Sequence, residues 1–291
     1  MEKTDVMSDF KQFFDEISSL EGIQVTQMRD GEDEDAEILH IKIINKQKWN
    51  EALSTLVPYF GKMIFEEYER KSVAELTDSS ALNQIIISFK NVDDVYVLRK
   101  NNQIVGFTST EDILNDEKRV VLTRDIMVKK EERGNGYGNK LARMFFHENP
   151  YASLGYSKTP TAMSARRKMA EQCGYFFSWG GIVKDECMKE VESLRIILKK
   201  YLENEGILSR REAPEGFVFL TSTSEGTTVL PPLSEDEVNF SKNDPLRPQF
   251  ELLLRHQEKI EKFGSGESLV GLSVCVRKTR ETISACLEEQ G

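Results

Sequence analysis

Arg133 stands directly ahead of three glycines at alternate positions, Gly134, Gly136 and Gly138, within the stretch EERGNGYG at residues 131–138. Glycine leaves the main chain bare, so backbone N–H groups there can approach a ligand closely, and the arginine adds a fixed positive charge. The chemistry this spacing suits is the binding of an anion. Hydrophobic positions Leu141, Met144 and Phe145 predict a helix immediately after the loop. Its leading N–H groups, with the helix dipole behind them, favour negative charge at the glycines. Two phosphate-binding templates fail here. The nucleotide P-loop and the dinucleotide fingerprint both demand a glycine where this chain has Asn139.

Other chemistry has less support in the sequence. His40, His147 and His256 are far apart and form no H-E-x-x-H pattern, so no metal centre is expected. Cys173, Cys187, Cys275 and Cys286 show no C-x-x-C spacing and read as reduced, buried residues. A net charge of -10 makes nucleic acid an unlikely partner, because phosphate neutralisation needs a basic face. Part of that charge lies in DGEDEDAE, residues 30–37, which reads as a solvated loop. No apolar run approaches bilayer length, so no membrane association is expected, and the start lacks the flanks of a secretory signal. A cytoplasmic location is the resulting expectation, although export by a dedicated machine would read the same way.

The elements that must position the glycines follow from periodicity. Phe10, Phe13, Phe14 and Ile17 predict an N-terminal helix, and residues 36–44 a covered strand. A helical pattern over 47–70 meets Pro58, where a kink or break is expected, and Ser72 with Glu75 offers a capping box for another helix. Residues 94–110 read as a hairpin turning at Asn101-Asn102, and 119–128 as a strand feeding the glycines. After the loop and its helix come a weaker strand at 151–157, a helix opened by Thr159-Pro160 and ended at Gly174, and a strand over 175–183. Beyond 184 the pattern predicts an amphipathic helix, a strand near 217–222 and a long polar connector. A second helix, a short strand at 269–276 and a terminal helix complete the chain.

The stretch IMVKKEERGNGYGNKLA resembles the acyl-CoA-binding signature of the GNAT superfamily of N-acyltransferases, in which a strand ending I-x-V precedes [RQ]-x-x-G-x-[GA] and a helix. The matching positions are Ile126, Val128, Arg133, Gly136 and Gly138. The resemblance implies acetyl-CoA as acyl donor, with its pyrophosphate at Arg133, Gly134, Asn135, Gly136, Tyr137 and Gly138. Its pantetheine arm would pair with the backbone of Ile126, Met127 and Val128. The implied fold is α/β, a GNAT-like mixed central sheet flanked by helices, over residues 36–183. A helix and acidic loop at 1–35 would precede it. An α-rich extension at 184–291 would follow, adding a last core strand at 217–222 and then a helical cap or subdomain.

The resemblance also implies transfer of an acetyl group to a primary amine of a protein or a small molecule. The thioester is already activated, so the site must supply an oxyanion donor, a route for the ammonium proton and good positioning. Several family positions are changed. Ala170 stands where many members carry an acidic tyrosine, an asparagine is missing near Met163, Lys130 replaces a proline, and Leu122 or Arg124 occupies the place of a glutamate base. Asp125 is the nearest carboxylate to serve as base, although strand alternation places it on the face opposite Arg124. Tyr151, Tyr156 and Tyr175 are candidate replacement acids, of which Tyr156 is preferred. Arg124 suits an acceptor bearing an anionic group, or else a salt bridge to the acidic loop. An alternative reading keeps the same fold as a catalytically impaired acyl-CoA-binding or protein-interaction module, and a third, disfavoured by the acidic balance, is acylation of nucleic acid.

Overall fold

The computed structural model describes residues 6–28, 36–67, 89–114, 118–157, 160–181, 188–221, 244–263 and 267–279. The predicted capping box at Ser72 and Glu75, most of the acidic run, Thr159, Cys187, Cys286, the polar connector and the terminal helix lie outside these residues. The fold is mixed α/β, with mostly antiparallel strands flanked by helices, as the sequence led one to expect. It divides into two compact units. The first takes in residues 1–112 and 123–145, the second 113–122 and 146–291.

The first unit begins with α1 (Val6–Ser18) and β1 (Ile23–Met28), continues through β2 (Ala36–Ile43) and α2 (Lys46–Glu67), and then enters β3 (Asp94–Lys100). Strand β4 (Gln103–Leu114) follows, and β5 (Val120–Val128) leads through a short 3-10 turn, Lys130–Glu132, to α3 (Tyr137–Met144). Strands β1 to β4 pair antiparallel in sequence order. The hairpin between β3 and β4 turns at Asn101 and Asn102, both with positive φ (48° and 60°), the mirror-image turn that matches strand twist. Strand β1 had no counterpart in the sequence reading. Its IQVTQM pattern has too few apolar residues to stand out, since it needs to cover only part of one face at the sheet edge. Helix α2 runs through Pro58 without ending.

Two clusters sandwich this sheet. On one face Phe10, Phe13 and Ile17 of α1 and Trp49, Leu53 and Leu56 of α2 pack on Leu39, Ile41, Val95, Val97, Phe107 and Met127. On the other, Tyr137 and Leu141 of α3 pack on Ala36, Ile38, Tyr96, Leu98 and Val105, with Ile126 and Val128 against them. Consecutive residues of β5 therefore serve opposite faces, as the period of two requires.

The second unit contains β6 (Ala152–Ser157), α4 (Pro160–Gln172), β7 (Tyr175–Trp179), α5 (Met188–Asn204), β8 (Phe217–Thr221), α6 (Arg247–Phe263) and β9 (Glu267–Arg277). Val120, Val121 and Leu122 pair parallel with Ala152, Ser153 and Leu154. Strand β9 lies antiparallel between β6 and β7, and β8 also pairs with it. The strand near 217–222 thus enters the sheet through β9, a partner 46 to 54 residues downstream that periodicity alone does not reveal. Buried Arg195 of α5 ties the unit together by donating to Ser178 Oγ (2.9 Å), the Gly180 carbonyl and Glu192. Among the described residues no helix is long and apolar enough to cross a membrane.

Candidate functional site

The site is assembled where β5 ends. Lys129 N–H donates to the Val105 carbonyl at 2.9 Å, keeping the end of β5 on β4. Close approach at this point depends on Gly106. A Cβ there would lie 2.7 Å from the Met127 carbonyl oxygen and 2.9 Å from Leu141 Cδ1, so the missing side chain admits both β5 and α3.

The chain then turns. Glu132 N–H bonds the Lys129 carbonyl (2.9 Å) and Arg133 N–H the Lys130 carbonyl (3.3 Å). Gly134 and Gly136 follow with φ of 83° and 80°, a region that side chains strain to enter. Helix α3 starts at Tyr137 with Gly136 as its N-cap and no side chain capping it. The Gly136 carbonyl accepts from Asn139 (3.0 Å) and Lys140 (3.2 Å). Among the described residues, the backbone N–H groups of Gly134, Asn135, Gly136, Tyr137 and Gly138 donate to no backbone carbonyl. A Cβ built on Gly134, Gly136 or Gly138 would meet nothing within 4 Å. A run of backbone donors without backbone partners at a helix start suits an anionic ligand. Arg133 is exposed at the mouth, its Nε 3.4 Å from the Val128 carbonyl.

Further along β5 a charge is already engaged. Arg124 Nε and Nη2 donate to one carboxylate oxygen of Glu111 on β4, at 2.9 and 2.5 Å, and both side chains are about nine-tenths buried. The partner is therefore a neighbouring strand residue, in place of the acidic loop; Glu37 of that run pairs with Arg99. An anionic acceptor would have to compete with Glu111 for Arg124. Asp125 lies on β5, and its side chain lies outside what is described.

Tyr156 belongs to the second unit, half-buried on β6 against the cluster around Leu154 and Leu272. Tyr175 is fully buried, donates its hydroxyl to the Pro150 carbonyl at 2.7 Å and packs on Phe146. Burial pushes its hydroxyl well above the usual phenol range. Tyr151 donates to Glu190. Ala170 is buried with no accessible surface.

Sequence reasoning missed Glu111 and Gly106. Glu111 carried a signal, an acid inside a run of strand-forming residues with an arginine on the next strand; Gly106 in a strand was the other. It also missed the buried His40–Asp94 pair (2.7 Å), stacked on Tyr96, where a buried histidine is satisfied inside the sheet. Among the described residues no group of His, Cys, Asp and Glu is arranged to hold a metal ion.

Residues 91–175, spanning β3 to the start of β7, match the model of the acetyltransferase (GNAT) domain. No curated protein matches the chain. Among solved structures, an acetyl-coenzyme A complex of a putative streptothricin acetyltransferase from Bacillus anthracis is 24% identical with a TM-score of 0.23; the match covers 32% of this chain and 53% of that one. A ribosomal-protein-S5-alanine acetyltransferase from Vibrio fischeri is 15% identical over 54% of this chain and 88% of its own, TM-score 0.33. A spermidine N-acetyltransferase from Vibrio cholerae, solved with CoA and spermine, is 15% identical over 54% and 82%, TM-score 0.26.

Proposed function

We propose that this chain, whose residues 91–175 match the acetyltransferase (GNAT) domain model, moves an acetyl group from acetyl-CoA to a primary amine of a protein or small molecule. The observation that carries the reading is the run of N–H groups from Gly134 to Gly138 that donate to no backbone carbonyl at the opening of a helix, with open space where side chains on its three glycines would stand. These groups would hold the donor's pyrophosphate, with Arg133 at the mouth adding charge-assisted contact. The backbone of Ile126, Met127 and Val128 would pair with the pantetheine arm. When bound, acetyl-CoA supplies an activated thioester. The chain's part is then to orient that group, offer a backbone donor to the developing oxyanion and manage two protons. Asp125 is the proposed acceptor for the ammonium proton, and Tyr156 the proposed donor to the departing thiolate.

The test is a calorimetric titration of acetyl-CoA into the wild type and Gly136→Asp, followed by an assay of amine-dependent thiol release. Saturable binding abolished by the added carboxylate, with thiol release when amines are supplied, supports the proposal. A folded wild type that binds no acetyl-CoA overturns it. Binding without any amine-dependent thiol release, across polyamines and protein N-termini, would leave a CoA-binding module in its place.

A further inference from the structure

The glycine loop is held open from outside itself. Lys100, the last residue of β3, donates from Nζ to Glu132 Oε2 at 3.0 Å, and Glu132 is the residue directly before Arg133. The same ammonium lies 5.4 Å from the centre of the Tyr137 ring, the first residue of α3. Asn135, in the middle of the loop, donates from Nδ2 to the same Glu132 oxygen at 3.3 Å. One lysine therefore touches the residues on both sides of the 133–136 segment, and its carboxylate partner reaches back into it. The base on which it stands is firm, because the two-residue turn at Asn101-Asn102 fixes the end of β3 and Tyr137 is 4% exposed beneath α3. Contact with Glu132, and then with Tyr137, raises the lysine's pKa, so it stays charged across the physiological range.

We propose that Lys100 is a positioning residue that staples the entry and exit of the glycine loop, presetting its N–H groups for the pyrophosphate before the donor arrives. This rests on the donor site assigned above. A loop already in its bound shape loses less freedom on binding, so the staple acts on affinity without itself touching the ligand. The competing role for Lys100 is direct contact with a phosphate. The two differ in sign at Glu132. If Lys100 contacted phosphate, removing Glu132 would release the ammonium and remove a repelling carboxylate, and affinity would rise. If Lys100 is a staple, removing Glu132 weakens binding.

The experiment measures acetyl-CoA and acetyl-pantetheine, which lacks the pyrophosphate, against wild type, Lys100→Ala, Glu132→Ala, Glu132→Gln and the exchanged pair Lys100→Glu/Glu132→Lys. Amide hydrogen exchange at residues 134–138 of the ligand-free chain runs alongside. The staple predicts a roughly fivefold loss of acetyl-CoA affinity in either alanine variant. It also predicts partial rescue in Glu132→Gln and the exchanged pair, no change for acetyl-pantetheine, and faster exchange at 134–138. Tighter acetyl-CoA binding by Glu132→Ala, or unchanged exchange in Lys100→Ala, overturns it. A wild type that fails to bind acetyl-CoA while Lys100→Ala still speeds exchange would sink the donor-site assignment and leave only a structural staple.

Discussion

Replacing Gly138 by alanine separates what the glycine loop does for the fold from what it does for a ligand. Gly138 is the second residue of α3, its φ is not in the left-handed region, and an added Cβ would meet nothing within 4 Å. The free protein therefore has no steric reason to resist the change. Alanine is better than glycine inside a helix by about 0.5–1 kcal/mol, and in a first turn the lower half of that range applies, so the melting temperature should hold or rise by about 1–2 °C. A bound pyrophosphate meets a different surface. The methyl group would occupy the space beside the Gly138 N–H and break one charge-assisted hydrogen bond, about 1.5–3 kcal/mol or roughly 10- to 150-fold in affinity. Calorimetry with acetyl-CoA and a thermal melt on the same preparation read both quantities. Gly136→Ala is the contrast, because its φ of 80° makes a side chain strained by about 1–2 kcal/mol even without ligand. Unchanged affinity in a fully folded Gly138→Ala would refute the claim that ligand approaches this backbone. A melting temperature that falls by several degrees would refute the claim that the space is open.

Three further outcomes are expected. Gly106→Ala must push back the Met127 carbonyl or Leu141, costing about 1–3 kcal/mol, and should lower both the urea midpoint and acetyl-CoA affinity because Met127 lies on the strand proposed to pair with the donor. Arg124→Ala leaves the Glu111 carboxylate buried without its guanidinium and should cost about 3 kcal/mol in urea unfolding; Glu111→Gln in the same chain should restore much of the loss, and no recovery would argue against the pairing. Tyr175, raised by burial above its ordinary value of 10.0, stays neutral in the folded chain while the unfolded chain ionises, so its contribution is intact below pH 10 and is lost as pH rises above it. Tyr175→Phe should flatten that alkaline loss in melts followed between pH 9 and 11.

The loop was legible because its requirements are local. Left-handed backbone at Gly134 and Gly136, a helix start without a capping side chain and a strand running in from Val120 are each written in a few adjacent residues. The hairpin at Asn101-Asn102 was legible for the same reason. The Arg124 partner was not, because the carboxylate that meets it is 13 residues away and is chosen by strand neighbourhood. Tyr175 looked like a candidate acid in sequence and is committed to the Pro150 carbonyl 25 residues upstream.

Sequence by itself determined the alternation, the turns and the glycine loop that opens a helix, since those depend on φ preference, side-chain period and neighbours within a few positions. Tertiary structure decided which strands adjoin, as with β9 entering between β6 and β7, and which charges meet. It also decided that a glycine at 106, unremarked in the sequence, is what lets β5 and α3 close on the loop. Such choices rest on contacts between residues far apart in the chain, and excluded volume at those contacts exists only once the chain has folded.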